Sequence, residues 1–206
     1  MVRPQNNFFI RNILHYYVNW IVGRHFHEVC FEPVEVDPNK SILLIANHFS
    51  FWDSLILYIV CYKLLKKKFY VMVREDTTIQ LKYLKYGGAF SVNKNSRDML
   101  QSLDYAAELL NDPQNLVLIF PQGKLYSNFV NDIHFEKGIA KVIEKAEGKF
   151  LLLFAATFVQ YLKHKKPTAT VYLKVEPNAG KSFEELKNAY QKHYDNAKLQ
   201  QTEIVI

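Results

Sequence analysis

Ser41-Ile42-Leu43-Leu44-Ile45-Ala46 runs without a break into Asn47-His48-Phe49-Ser50-Phe51-Trp52-Asp53. The first six residues are too few for a stable helix, and their apolar run is unbroken. That is the pattern of a strand buried on both faces, as in a parallel sheet covered by helices on each side. The next seven turn polar. Ser50 fits the cap of a helix, and Asp53 would then sit in its first turn, where the helix dipole favours a carboxylate.

Working outward, the same alternation recurs. Phe69 to Val73, Ala89 to Val92, Leu116 to Phe120, Leu151 to Ala155 and Thr168 to Val175 read as further strands. Phe51 to Leu65, Ile79 to Lys85, Arg97 to Leu110 and Phe135 to Ala146 read as helices, and the Ser182/Glu185 capping-box spacing predicts a last helix running to about Asp195. The expected fold is α/β: a single domain with a largely parallel central sheet flanked by helices, plus an N-terminal amphipathic helix. Chemistry in such sheets gathers in the loops beyond the carboxyl ends of the strands.

At 206 residues the chain suits one substantial core. Residues 1–30 are expected to form the N-terminal element and residues 31–206 the main domain. The start lacks the cationic, apolar and small-residue pattern of a signal peptide. Phe8 to Val22 is apolar but broken by Arg11, Asn12, His15 and Asn19, and it is shorter than a spanning helix requires. At helical spacing Phe9, Ile13, Tyr16, Tyr17, Trp20 and Ile21 share one face, which suits a helix lying in a membrane interface. The alternative is a helix packed on the protein's own core or on a second subunit.

A net charge of +6 favours an anionic partner. Its scatter, apart from Lys66 to Lys68 and Lys163 to Lys166, and the lack of any RNA- or DNA-binding signature argue against nucleic acid. Cys30 and Cys61 form neither a disulfide framework nor a zinc ribbon, and a reducing compartment fits. His25, His27 and Cys30 do not make a complete ligand set, so no metal is expected.

Three stretches can carry chemistry. In the first, His48 lies just past a strand end, and Asp53 can reach back to one imidazole nitrogen, leaving the other free to take a proton. A His and an Asp five apart arise often by chance, so the pair gains meaning only from the company of the other two stretches. In the second, the strand Leu116 to Phe120 ends in Pro121-Gln122-Gly123-Lys124, a turn preset by Pro and relieved by Gly. In the third, Gly87-Gly88-Ala89-Phe90-Ser91-Val92-Asn93-Lys94 combines small residues with a basic group at the strand's end.

Taken together these blocks resemble the glycerolipid acyltransferase family, the 1-acylglycerol-3-phosphate acyltransferase-like enzymes. Its His-x4-Asp block is matched by His48 through Asp53, its glycine-strand-basic block by Gly88 through Lys94, and its Phe-Pro-Glu-Gly block by Phe120-Pro121-Gln122-Gly123 with one change. A fourth block has only a loose counterpart in Phe150 to Val159. The resemblance implies that His48 is a general base held by Asp53. Asn47, Phe90, Lys94, Gln122, Gly123 and Lys124 are then substrate-binding positions. It further implies transfer of a fatty acyl group from acyl-CoA or acyl carrier protein, a co-substrate and not a cofactor, to a lipid-like hydroxyl or amine acceptor, without an acyl-enzyme. Peripheral attachment to membrane lipid on the cytoplasmic face goes with this. The absence of a G-x-S-x-G elbow agrees with direct transfer. A lipid-binding scaffold relative and an acyl thioester hydrolase are the alternatives. Family members that take phosphorylated glycerol carry arginine after the second block and Thr-Arg after the third. Here those positions read Lys94, Lys124 and Leu125, and Gln122 in place of glutamate removes a negative charge beside the site, so an acceptor other than lysophosphatidic acid is expected. The alternative is a phosphate held by other lysines, such as Lys82 or Lys85.

Overall fold

The computed structural model describes residues 1–5, 7–75, 82–92, 96–147, 149–177 and 181–205, and of residues 82, 96 and 97 the backbone alone. In chain order the elements are α1 (Phe8–His25), β1 (Glu28–Phe31), β2 (Ile42–Ala46), α2 (Asp53–Val60), β3 (Lys68–Arg74), β4 (Ala89–Val92), α3 (Ser96–Leu109), β5 (Asn115–Ile119), α4 (Gly138–Lys145), β6 (Leu151–Gln160), β7 (Thr168–Glu176) and α5 (Phe183–Thr202).

The described strands form one seven-stranded sheet in the order β1-β7-β6-β2-β5-β3-β4. Every neighbouring pair is parallel except β6 and β7, whose register runs from Leu152 opposite Glu176 to Gln160 opposite Thr168. The sheet is therefore largely parallel, as the unbroken apolar runs imply. All five β2 residues are buried. Leu43 and Ile45 join the core beneath α3, α4 and α5, whereas Ile42, Leu44 and Ala46 join the core beneath α1 and α2. Burial on both faces is the reason this strand shows no polar alternation.

The connections fix where a site can form. From β2 the chain passes through α2, on one face, to β3. From β5, the neighbour of β2, it passes through α4, on the other face, to β6. Adjacent strands whose connections leave in opposite directions open a crevice beyond their carboxyl ends. His48 and Gln122 come just after those two strands.

Several boundaries differ from the sequence expectation. The helix expected over 51–65 begins at Asp53 and passes at Cys61 into a π-helical turn, Cys61–Leu65. Ser50 does not cap it as expected. Its hydroxyl accepts from Trp52 N at 3.1 Å and donates to Asp53 Oδ1 at 2.7 Å. The helix expected over 135–146 starts only at Gly138, because Glu136 N is bonded to Pro121 O at 2.8 Å and that segment belongs to the preceding loop. Within 79–85, residues 82–85 lie in a 3-10 turn, Lys82–Gly87, and 79–81 fall outside the described residues. The last helix is capped by the Ser182/Glu185 box as expected but continues to Thr202.

β1 has no counterpart in the sequence expectation, and residue 30, the end of the expected N-terminal element, falls inside it. Glu28–Phe31 joins the sheet alongside β7. Lys66 to Lys68 enter β3 at the end of the sheet opposite His48, with Lys67 Nζ donating to the carbonyls of Pro38 and Pro113. That basic run faces away from the candidate site.

In α1 the aromatic face is outward: Phe9, Ile13, Tyr16, Tyr17 and Trp20 are exposed, while Val18 and Val22 are buried and Ile21, expected on the outward face, is half-buried against the core. Of the polar side, Asn12, His15 and Asn19 are half-buried and Arg11 is exposed. His15 Nδ1 lies 3.1 Å from Tyr58 Oη, and Asn19 donates to His15 O at 2.8 Å. No helix among the described residues is long and apolar enough to cross a membrane.

Candidate active site

The turn after β2 wraps around a fully buried carboxylate. Asp53 Oδ2 accepts from His48 Nδ1 at 2.8 Å, Phe49 N at 2.7 Å and Ser50 N at 2.9 Å, and Oδ1 accepts from the Ser50 hydroxyl at 2.7 Å. An ionised carboxylate is acceptor-only, so Nδ1 carries the proton and the Nε2 lone pair is left free. Among the described residues no group hydrogen-bonds Nε2. The imidazole is held from one side by the Phe120 ring, stacked at 4.1 Å with planes 16° apart. The His48 side chain remains about a quarter exposed, at 24%.

The loop after β5 completes the setting. Because Ile45 is in register with Ile119, three further residues on each strand bring His48 level with Gln122. Gln122 is buried, and its Oε1 accepts from His48 N at 2.6 Å. Gly123 turns the chain at φ +65°. Tyr126 N then donates to His48 O at 3.0 Å, so both backbone groups of His48 are tied to this loop. On the other flank Asn47 bridges to β6: its Nδ2 donates to Thr157 O at 3.0 Å, and its Oδ1 accepts from Thr157 N at 2.8 Å. Tyr190 of α5, buried with its hydroxyl on Ala155 O at 2.8 Å, supports β6 from below.

The expected binding positions divide accordingly. Gly123 and Lys124 are exposed on the loop beside His48, with Lys124 Nζ 5.2 Å from the Tyr126 ring. Asn47 and Gln122 are brought to the site but are committed to holding its backbone. Phe90 is not brought there. It lies on β4, three strands from β2, and is buried against Tyr105 in the core. Lys94 falls outside the described residues. Phe120 opens the Phe-Pro-Gln-Gly block and is legible as part of that motif, though not as the ring stacked on His48. Thr157 and the Tyr126 amide join the site without any sequence signal, since their contacts depend on strand register. Of the residues considered as metal ligands, His25 packs on Trp52, His27 stacks on His164 at 3.5 Å, and Cys30 lies within β1.

A cleft of about 580 Å³ opens between α1, α2 and β3. Ser54 and Leu55, the residues after Asp53, line it, Leu14, Val18, Phe69 and Leu84 contribute apolar wall, and Arg11, His15, Lys67 and Lys68 contribute polar and basic groups.

A family profile described as Acyltransferase matches residues 28–160. No curated protein matches the sequence significantly. Among solved structures the chain is similar to the crystal structure of the 1-acyl-sn-glycerophosphate (LPA) acyltransferase PlsC from Thermotoga maritima. The TM-score is 0.60 at 17% identity, over 95% of this chain and 79% of that one. At that identity the likeness is one of fold.

Proposed function

The chain belongs to the acyltransferase family, and from that premise we propose that it transfers a fatty acyl group from a thioester to a lipid-like hydroxyl or amine, with His48 as general base. The observation that carries this reading is the His48 Nδ1 contact with a buried Asp53, which leaves Nε2 open at the mouth of the crevice. In the proposed step the acceptor O–H or N–H gives its proton to Nε2, and the acceptor oxygen or nitrogen attacks the thioester carbon. The C–S bond breaks, and the departing thiolate takes the proton from the imidazolium. Asp53 orients the ring and stabilises its positive charge. No acyl-enzyme is formed.

The donor is acyl-CoA or acyl carrier protein, and its acyl chain is assigned to the cleft beside Leu55, whose apolar wall suits a hydrocarbon. Peripheral attachment to the cytoplasmic face of a membrane belongs to the same proposal; the attachment itself is supported by the exposed aromatic face of α1, in which Tyr and Trp keep a polar tip wet while burying their rings.

For the acceptor we retain a compound other than lysophosphatidic acid, such as an amino-acid lipid precursor. Leu125, exposed beside Lys124, offers no side-chain donor to a phosphate. The change of glutamate to Gln122 has no bearing on this choice. The atom required there only has to accept from the His48 N–H, and an amide oxygen does so as a carboxylate would.

The test is a set of acyl-CoA and acyl carrier protein donors of graded chain length, offered lysophosphatidic acid and a lyso amino-lipid at equal concentration. Acylated product and free fatty acid are both measured by mass. Acylated amino-lipid supports the full reading, preference for lysophosphatidic acid overturns the acceptor assignment, and fatty acid alone identifies a hydrolase. No turnover of any donor leaves a lipid-binding relative.

A further inference from the structure

We propose that the rim of the candidate site is itself a docking surface for an anionic lipid bilayer, continuous with the outer face of α1 and carried by the basic 161–167 loop. This rests on the membrane attachment proposed above and goes beyond it in naming a second contact that points His48 at the lipid.

Three loops leave the carboxyl ends of β2, β5 and β6, and each exposes large apolar side chains: Phe51 on the first, Leu125 and Phe129 on the second, Tyr161 on the third. Phe129 is 84% exposed. Single exposed apolar residues are ordinary, but several around one opening mark an interaction surface. The loop Tyr161-Leu162-Lys163-His164-Lys165-Lys166-Pro167 adds three exposed lysines and no acid. Glu28, Asp132 and Glu136 are acidic groups near these segments, the last 3.4 Å from His134.

Contacts join this rim to α1. The Phe51 ring meets Trp52 edge-on at 5.6 Å, and Trp52 packs against His25 and Phe26 at the end of α1. On the other side Lys166 Nζ donates to Gly23 O at 3.2 Å, and His164 stacks on His27. The basic loop, the end of α1 and the mouth are therefore one surface. Aromatic side chains interleaved with lysine match a lipid interface, in which rings enter the headgroup boundary and ammonium groups meet anionic headgroups.

The experiment is sedimentation of the full chain with vesicles of phosphatidylcholine alone or phosphatidylcholine with phosphatidylglycerol. It compares wild type with Phe51→Ser plus Phe129→Ser and with Lys163→Gln plus Lys165→Gln. All four side chains are exposed, so the fold should be kept, and thermal unfolding verifies this. The lysine pair should lower partitioning onto the anionic vesicles by about 30-fold, from the usual contribution of each lysine near such a surface, and leave the neutral vesicles little changed. The phenylalanine pair should weaken binding to both. Wild-type partitioning by both variants overturns the proposal. So does unchanged vesicle binding by the lysine variant with a raised KM for the carrier-protein donor alone, which would make the loop a contact for an acidic protein. Vesicle binding that the variants lose, in a protein inactive toward every thioester, would overturn the acyl-transfer reading and support this one.

Discussion

Replacing Asp53 by Asn removes a charge while leaving the shape of the site intact, and the hydrogen bonds around it fix the outcome. The amide oxygen can take the Oδ2 position and accept from His48 Nδ1, Phe49 N and Ser50 N. The amide NH2 then faces the Ser50 hydroxyl, which rotates to accept. Fold and His48 tautomer are therefore kept. What is lost is attraction between the carboxylate and the imidazolium formed as the acceptor is deprotonated. For unit charges about 4 Å apart at an effective dielectric of about 20, this is roughly 4 kcal/mol, or about a thousandfold in rate. Asp53→Ala differs in kind. It orphans several buried donors and should cost roughly 3–5 kcal/mol of stability, a large share of what a domain of this size possesses. The assay is thiol release from a short-chain acyl-CoA in the presence of acceptor, alongside urea unfolding of each variant. A folded Asp53→Asn protein working within tenfold of wild type would refute the electrostatic role assigned to Asp53.

Gln122→Ala leaves the His48 N–H without its acceptor and should destabilise by roughly 1–3 kcal/mol with a matching fall in kcat, whereas Gln122→Glu should retain activity; steady-state kinetics on both variants checks this. Gly88→Ala should cost more than about 3 kcal/mol in chemical denaturation, because Gly88 lies at φ +92° and an added Cβ would stand 2.0 Å from Phe69 O. His193 is buried, its Nε2 3.1 Å from Tyr172 O, and desolvation pushes its pKa down from 6.5 to about 4. Since the folded value is the lower one, its contribution is complete above pH 6.5 and is lost as pH falls toward 4. A loss of roughly 3 kcal/mol should appear in urea titrations over that window and be flattened in His193→Gln.

The strand–loop–helix around His48 is legible in the sequence because its determinants are local: an apolar run, a turn, and a carboxylate five residues on. The sheet is legible for the same reason, since strands buried on both faces leave unbroken apolar runs. Contacts fixed by register between distant segments are not. The pairing of Gln122 with the His48 backbone spans 74 residues and depends on Ile45 standing opposite Ile119. The Asn47 bridge to Thr157 depends in the same way on Ala46 opposite Ala155. The place of Phe90 in a motif suggests a binding residue, but a position on β4 puts it in the core. β1 escapes notice because Glu28-Val29-Cys30-Phe31 is short and comes almost directly after the helix. Lys66 to Lys68 and Lys163 to Lys166 look alike as sequence, and only the strand directions put the second run at the mouth.

The open nitrogen of His48 is held here to accept the proton of the attacking acceptor, and the most direct measurement of that is the acyl-transfer rate of His48→Ala. The side chain is partly exposed and its backbone contacts to Gln122 and Tyr126 survive the change, so thermal unfolding should remain close to wild type. The rate should fall by roughly two to four orders of magnitude. A folded His48→Ala protein that transfers acyl groups at close to the wild-type rate would contradict the assignment of His48 as the base.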